Sequence, residues 1–243
     1  MSDGSGQRIA ARGARLVVFD LDGTLVDSHR DLADSANAML LEYGAPPLAA
    51  DDITAMVGDG AAMLVRRVLR RGGLGAADAR DALDRFLACY DERLLATTRP
   101  YDGMVETLQA LRSQGRRLAV LTNKPHRATL RILEGLGLIQ LFSDVIGGDT
   151  AYGRKPDPTG LLALVSNAGV APADTLLVGD STVDLATARA AGTAICLARY
   201  GFGFRFEDGD FDGAEMFIDA PGDLVAALGS PAFPSQGSAQ SHT

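Results

Sequence analysis

The tightest constraint on this chain is the run Leu16-Val17-Val18-Phe19-Asp20-Leu21-Asp22-Gly23-Thr24-Leu25, where an apolar stretch of strand length stops at two carboxylates one residue apart. Consecutive apolar residues without alternation fit a strand buried on both faces, the habit of parallel sheets covered by helices on either side. Ionised carboxylates this close repel each other unless a cation or a proton holds them together. A buried strand has no need of acids at its end. The pair therefore suits a nucleophile, a metal ligand or both, with two acids that merely cap a loop as the plain alternative.

Similar strand ends recur. Leu118-Ala119-Val120-Leu121 runs into Thr122-Asn123-Lys124; Val145-Ile146-Gly147 is followed by Lys155-Pro156-Asp157-Pro158; Leu176-Leu177-Val178 ends at Gly179-Asp180-Ser181-Thr182-Val183-Asp184. These short runs alternate with amphipathic segments at Arg127 to Leu136, Pro158 to Ala168 and Val183 to Ala191, a pattern that predicts an α/β fold with a doubly wound, Rossmann-like parallel sheet. Ligands of such sheets bind outside the carboxyl ends of the strands, where all these polar groups fall. Between Asp27 and Pro100 the pattern changes to helix-like stretches at Arg30 to Tyr43, Ala61 to Arg70 and Ala77 to Ala96, with no convincing strand. An inserted all-helical cap is expected there. The stripes Leu32, Ala36, Met39, Leu40 and Leu83, Phe86, Leu87, Tyr90 recur at helical spacing and are assigned to packing within the cap.

The expected organisation is a flexible start over residues 1–14, a core of 15–27 and 100–228, a cap of 28–99 and a disordered tail of 229–243, rich in Gly, Ser, Pro and Gln. With 243 residues, 47% of them hydrophobic, the chain can build real cores. A formal net charge of −8 argues against a general nucleic-acid surface or an anionic membrane surface as partner, because both need basic patches. No signal-peptide core or long apolar stretch appears, so a cytoplasmic location is expected. Cys89 and Cys196 read as small buried hydrophobes and not as a disulfide. His29, His126 and His242 share no metal-ligand spacing. The oligomeric expectation is a monomer or a homodimer.

In their order and intervals, the acid pair, the hydroxyl at Thr122, Lys155 and the second acid pair resemble the motifs of the haloacid-dehalogenase superfamily of phosphatases. The resemblance implies an aspartyl-phosphate formed on Asp20, which splits one difficult displacement into two. Asp22 would protonate the leaving alkoxide and then deprotonate the attacking water. Gly23 leaves room for backbone approach and Thr24 bonds locally. Thr122 and Asn123 would contact the phosphoryl oxygens, and Lys155 would supply fixed positive charge on a loop stiffened by Pro156 and Pro158. Mg²⁺ would be held by the Asp20 carboxylate, the Asp22 main-chain carbonyl and Asp180, with Asp184 ordering the site. Asp184 could also be an ordinary acid at a helix N-terminus. Lys124 is left off the catalytic set, because after Asn123 it could equally face solvent.

Within that superfamily, Val57-Gly58-Asp59-Gly60 and the following Ala61 to Leu69 resemble the cap loop and helix of bacterial phosphoglycolate phosphatases, as do the segments after the later strands. One departure is Tyr101-Asp102-Gly103, where that family commonly has proline in the middle. The implied partner is a small-molecule phosphate ester with a carboxylate at its far end. Gly58, Asp59, Gly60 and Arg67 are the expected readers of that end, although Arg66, Arg67, Arg70 and Arg71 also fit a solvated helix face. Sugar phosphates and pyrophosphate remain open as substrates. A mutase shares both carboxylates, a phosphate-accepting signalling module would need neither the cap nor Asp22, and a dehalogenase lacks the second acid.

Overall fold

The computed structural model describes residues 13–75, 79–207 and 209–229. Six strands form one sheet: β1 (Leu16–Phe19), β4 (Arg117–Leu121), β5 (Asp144–Ile146), β6 (Thr175–Gly179), β7 (Ala194–Ala198) and β8 (Met216–Ile218). Their spatial order is β5-β4-β1-β6-β7-β8, and every neighbouring pair is parallel. The chain leaves β1 toward β4 on one side and reaches β6 on the other, so β1 is the point where the winding reverses and a crevice opens at the strand ends.

Alternation along the strands sorts side chains into two apolar layers. Val17, Phe19, Leu118 and Val120 face one layer; Leu16, Val18, Ala119 and Leu121 face the other. The first layer is covered by α5 (Met104–Ser113), α6 (His126–Gly135) and α9 (Asp223–Leu228); the second by α7 (Thr159–Ala168) and α8 (Thr182–Ala191). Each leucine-rich run is thus buried on both sides, as its lack of alternation required.

The helical insert is α1 (His29–Glu42), the short α2 (Ala50–Thr54), α3 (Ala61–Arg71) and α4 (Ala79–Arg93). It leaves and rejoins the sheet region through a two-stranded antiparallel ribbon, β2 (Val26–Asp27) against β3 (Arg99–Pro100). That ribbon and α2 are absent from the sequence pattern, because two-residue strands and five-residue helices are too short to show a period. At the ribbon Asp31, buried at the start of α1, accepts hydrogen bonds from the main-chain and hydroxyl groups of both Thr97 and Thr98. In the family's proline position, Asp102 is followed by Gly103 with φ +80°, while Tyr101 packs at 4.7 Å against Tyr200.

Two local expectations need correction. Cys89 is only half-buried on α4, with its sulfur 3.9 Å from Glu42 Oε1, whereas Cys196 is buried in β7; both thiols are free. Ala14, assigned to a flexible start, is buried, and its carbonyl accepts from the Arg116 guanidinium. The helix expected from Ala77 begins outside the described residues; so do residues 1–12, His242 and the tail beyond Gly229.

Candidate active site

The ends of β1, β4 and β6 bring the sequence-derived residues together. Asp20 follows β1 directly, and its N–H still donates to Val178 O of β6 at 2.9 Å, so its main chain is held by the sheet. Thr122 follows β4 and is held in the same way by Ile146 O at 3.0 Å. Its hydroxyl oxygen accepts the Lys124 N–H at 3.3 Å, which leaves the hydroxyl proton free to donate.

Asp20, Asp180 and Asp184 are all buried, and each offers a carboxylate oxygen within 4.8 Å of the others. Lys155 is set among them with its ammonium 2.8 Å from Asp20 Oδ1 and 2.6 Å from Asp184 Oδ1. Burial opposes the charge on Lys155, but the two carboxylates raise its pKa on balance. Burial pushes Asp20 up to about 6, against the pull of Lys155 and with a further push from Asp184. Asp180 is held well above the ordinary carboxylate range by burial and by repulsion from Asp20 and Asp184, despite the Gly203 N–H donated to it at 2.7 Å. One lysine leaves this cluster short of positive charge. An all-oxygen donor set of buried carboxylates fits a hard divalent cation, which would relieve that repulsion.

Asp184 serves both readings raised for it. Its Oδ2 accepts from the N–H and hydroxyl of Ser181 in a capping box at the start of α8, while Oδ1 faces Lys155. Gly23 has φ +84°, and a Cβ there would lie 2.0 Å from Asp180 Oδ2. Any side chain at 23 would displace the carboxylate, so the glycine after the acid pair is required by the second acid pair far along the chain. Thr24 is buried, with its hydroxyl 3.5 Å from Asp180 Oδ1.

Asp22 lies outside the three-carboxylate group. Its carboxylate meets the Lys124 ammonium at 2.9 and 2.8 Å and accepts the Ser28 hydroxyl at 2.6 Å. Lys124 is therefore no solvent-facing residue: its side chain is 3% exposed. Burial disfavours its charge, but Asp22 raises its pKa overall. Sequence reasoning missed it because a lysine two residues past a strand looks the same whether it points out or back; its place in the Thr-Asn-Lys run was the only hint.

A cavity of about 430 Å³ opens over these groups, walled by Asp20, Asp22, Thr122, Lys124 and Asp180 from the core and by Leu32, Leu64, Phe86 and Tyr90 from the helical insert. The stripe on α4 assigned to packing within the insert thus also faces the site. Gly58 and Gly60 line the cavity, Gly60 with φ +88°. Asn123 spends its amide donors on Gly58 O and Lys155 O, both at 3.0 Å, and so ties the insert's loop to the lysine loop. Arg67 and Asp59 are not among the cavity's lining residues. The Arg67 guanidinium instead donates to Met56 O at 2.9 Å and pairs with Asp59, bracing the loop from behind. The cation that does line the cavity without a carboxylate partner among the described residues is Arg127, in the first turn of α6.

Residues 17–198 match the family model described as haloacid dehalogenase-like hydrolase. The chain is 45% identical over 194 residues to a phosphoglycolate phosphatase of Rhodospirillum rubrum, covering 77% of this chain and 80% of that protein. It is 42% identical over 228 residues to a phosphoglycolate phosphatase of Pseudomonas putida, covering 92% and 82%. Among solved structures, a predicted phosphoglycolate phosphatase from Haemophilus somnus superposes with a TM-score of 0.81 at 33% identity, covering 88% of this chain and 97% of that one. Among the described residues no helix is long and apolar enough to cross a membrane.

Proposed function

The chain belongs to the haloacid dehalogenase-like hydrolases, and on that premise we propose that it is a phosphoric monoester hydrolase acting on 2-phosphoglycolate, by way of an aspartyl-phosphate on Asp20. The observation that carries this reading is the buried group of Asp20, Asp180, Asp184 and Lys155 at the carboxyl ends of β1 and β6, beneath a cavity. In this reading residues 28–99 form the cap, and 15–27 with 100–228 form the catalytic core.

Asp20, Asp180 and Asp184, with the main-chain carbonyl of Asp22, would hold Mg²⁺, which when bound supplies the positive charge that lets one anion attack another. Asp20 attacks phosphorus, and the ester oxygen leaves with a proton from Asp22. Asp22 then takes a proton from water as that water displaces Asp20 and releases inorganic phosphate. Lys155 holds Asp20 in line and lowers the proton affinity that burial raises. Thr122 donates its free hydroxyl proton to a phosphoryl oxygen.

For the far carboxylate of the substrate, the cavity offers Arg127 more directly than Arg67, whose guanidinium is committed to Met56 O and Asp59. A panel of phosphate esters assayed with purified protein and Mg²⁺ tests the proposal. Phosphoglycolate should give the highest kcat/KM; a flat profile, or a sugar phosphate or pyrophosphate ahead of it, refutes the substrate assignment. Lack of inorganic phosphate release from every ester refutes the activity itself.

A further inference from the structure

Asp22 is gripped from two directions. Ser28, at the entry to the helical insert, donates to one carboxylate oxygen, and Lys124, from the core, reaches both. Lys124 in turn lies under a residue of the insert: its ammonium is 4.5 Å from the centroid of the Tyr90 ring on α4. A buried ammonium at that distance from an aromatic face is held by the ring's quadrupole, an attraction that strengthens as water is excluded. Tyr90 is backed by Phe86, one turn earlier on the same helix, with the rings stacked at 5.8 Å and 8°. The Tyr90 hydroxyl is buried and has no hydrogen-bond partner among the described residues. The Lys124 charge is also felt at the Tyr90 oxygen, but no hydrogen bond of ordinary geometry joins the two, and the ring face 4.5 Å from the ammonium is the part of the residue that carries the contact.

We propose that Tyr90 is a positioning residue of the cap: its ring holds the Lys124 ammonium on the Asp22 carboxyl, and so orients the group that exchanges a proton with the leaving oxygen when the cap is seated. This rests on the reading of Asp22 as the acid–base of the phosphatase. Without the ring, the ammonium turns to water in the cleft and the carboxyl loses its fixed aim. Asp20 and Asp184 pair with Lys155, and Asp180 accepts from the Gly203 amide, none through Tyr90, so nucleophile and phosphate binding are spared. The defect falls on the departure of basic leaving groups. An alkoxide needs the proton; a p-nitrophenolate leaves without it.

The test compares Tyr90→Phe, Tyr90→Leu and Asp22→Asn on 2-phosphoglycolate and on p-nitrophenyl phosphate, with Mg²⁺. Tyr90→Leu should lose kcat on the order of tenfold on phosphoglycolate and less than about threefold on the aryl ester, with KM nearly unchanged. Tyr90→Phe, which keeps the ring, should stay within about twofold of wild type on both. Equal losses on the two esters for Tyr90→Leu would mean a packing role only and overturn the proposal. Losses in Tyr90→Phe as large as in Tyr90→Leu overturn it too, by assigning the effect to the hydroxyl. If Asp22→Asn itself shows no dependence on leaving group, the reading of Asp22 fails and the proposal falls with it; if Asp22→Asn shows it and Tyr90→Leu does not, only the Tyr90 assignment fails. Should Leu at 90 prevent folding, Tyr90→Met fills similar space without an aromatic face and carries the same comparison.

Discussion

Asp31 beside the β2–β3 ribbon and Asp180 in the cleft are both buried aspartates, 1% and 2% exposed, yet their surroundings drive them in opposite directions. Burial opposes the charge of Asp31, but hydrogen bonds from the hydroxyl and amide of Thr97 and of Thr98 outweigh it, and its pKa is lowered. Asp180 has the Gly203 amide and a long contact from Thr24, faces two more carboxylates and is raised. A carboxylate surrounded by donors is a structural fastener. One surrounded by other carboxylates costs stability, a cost that a bound cation would relieve.

The largest effect expected from this contrast is on turnover. Asp20→Asn retains shape and relieves the repulsion in the cleft, so the variant should fold at least as stably as wild type while phosphate release falls on the order of 10⁴-fold or more. A folded variant that releases phosphate at near wild-type rate would show that another group attacks.

Metal removal comes next. Chelation should silence the enzyme and added Mg²⁺ restore it, while Ca²⁺, with looser geometry, binds without supporting turnover. Raised pKa values favour the folded protein at low pH: the native state holds protons the unfolded chain has lost, and that contribution fades as pH rises from the ordinary value of 3.8 through about 6 for Asp20. Thermal melts should therefore show a larger stabilisation by Mg²⁺ at pH 8 than at pH 5. The same gain at both values would mean that the cluster is not where the cation acts.

Substitutions at the two contrasted positions should move stability in opposite directions. Asp31→Asn leaves buried donors without an anion and should cost about 2–3 kcal/mol at pH 7, roughly 4–12 °C in Tm. That deficit should shrink as pH falls below the ordinary 3.8, because a lowered pKa contributes stability only while the group is ionised. Asp180→Asn should raise the Tm of the metal-free protein at pH 8 and abolish its response to Mg²⁺. If both variants melt lower in chelator, the contrast between fastener and ligand collapses.

The smallest effects belong to the cavity's rim. Arg127→Ala should lower kcat/KM for phosphoglycolate roughly tenfold while sparing an aryl phosphate, as loss of one charge-assisted contact at about 1.5 kcal/mol requires. Arg67→Ala, which loosens the Gly58 to Gly60 loop, should affect both esters equally and only a few-fold. A selective loss in Arg67→Ala, with none in Arg127→Ala, would return the far carboxylate to Arg67.

Much of the site was legible in the order of the chain because strand ends mark themselves: an apolar run must stop where its polar groups meet the crevice. Asp20, Thr122, Lys155, Asp180 and Asp184 could all be located in this way; Gly23 could be named as room for close approach, but not the Asp180 carboxylate that requires it. Lys124, Tyr90 and Asp31 could not. A lysine after a strand, an aromatic in a helical stripe and an acid in a first helical turn each have an ordinary local explanation. The same ambiguity left the reading of Arg67 open between substrate contact and a solvated helix face, because its match to a cap pattern said nothing about which face of α3 it occupies.

What the sequence determined by itself was the class of fold and the chemistry gathered at one end of the sheet, because period and burial on both faces are properties of contiguous residues. Only the tertiary structure decided how charge is shared there. Lys155 goes to Asp20 and Asp184, Lys124 to Asp22 under a ring from the insert, and Asp180 is left to a backbone amide and two neighbouring anions. Pairing between groups as far apart in sequence as Asp22 and Lys124, or Asp20 and Lys155, depends on distances of a few ångströms that no local pattern encodes, since electrostatic energy in a buried site follows separation in space and not along the chain.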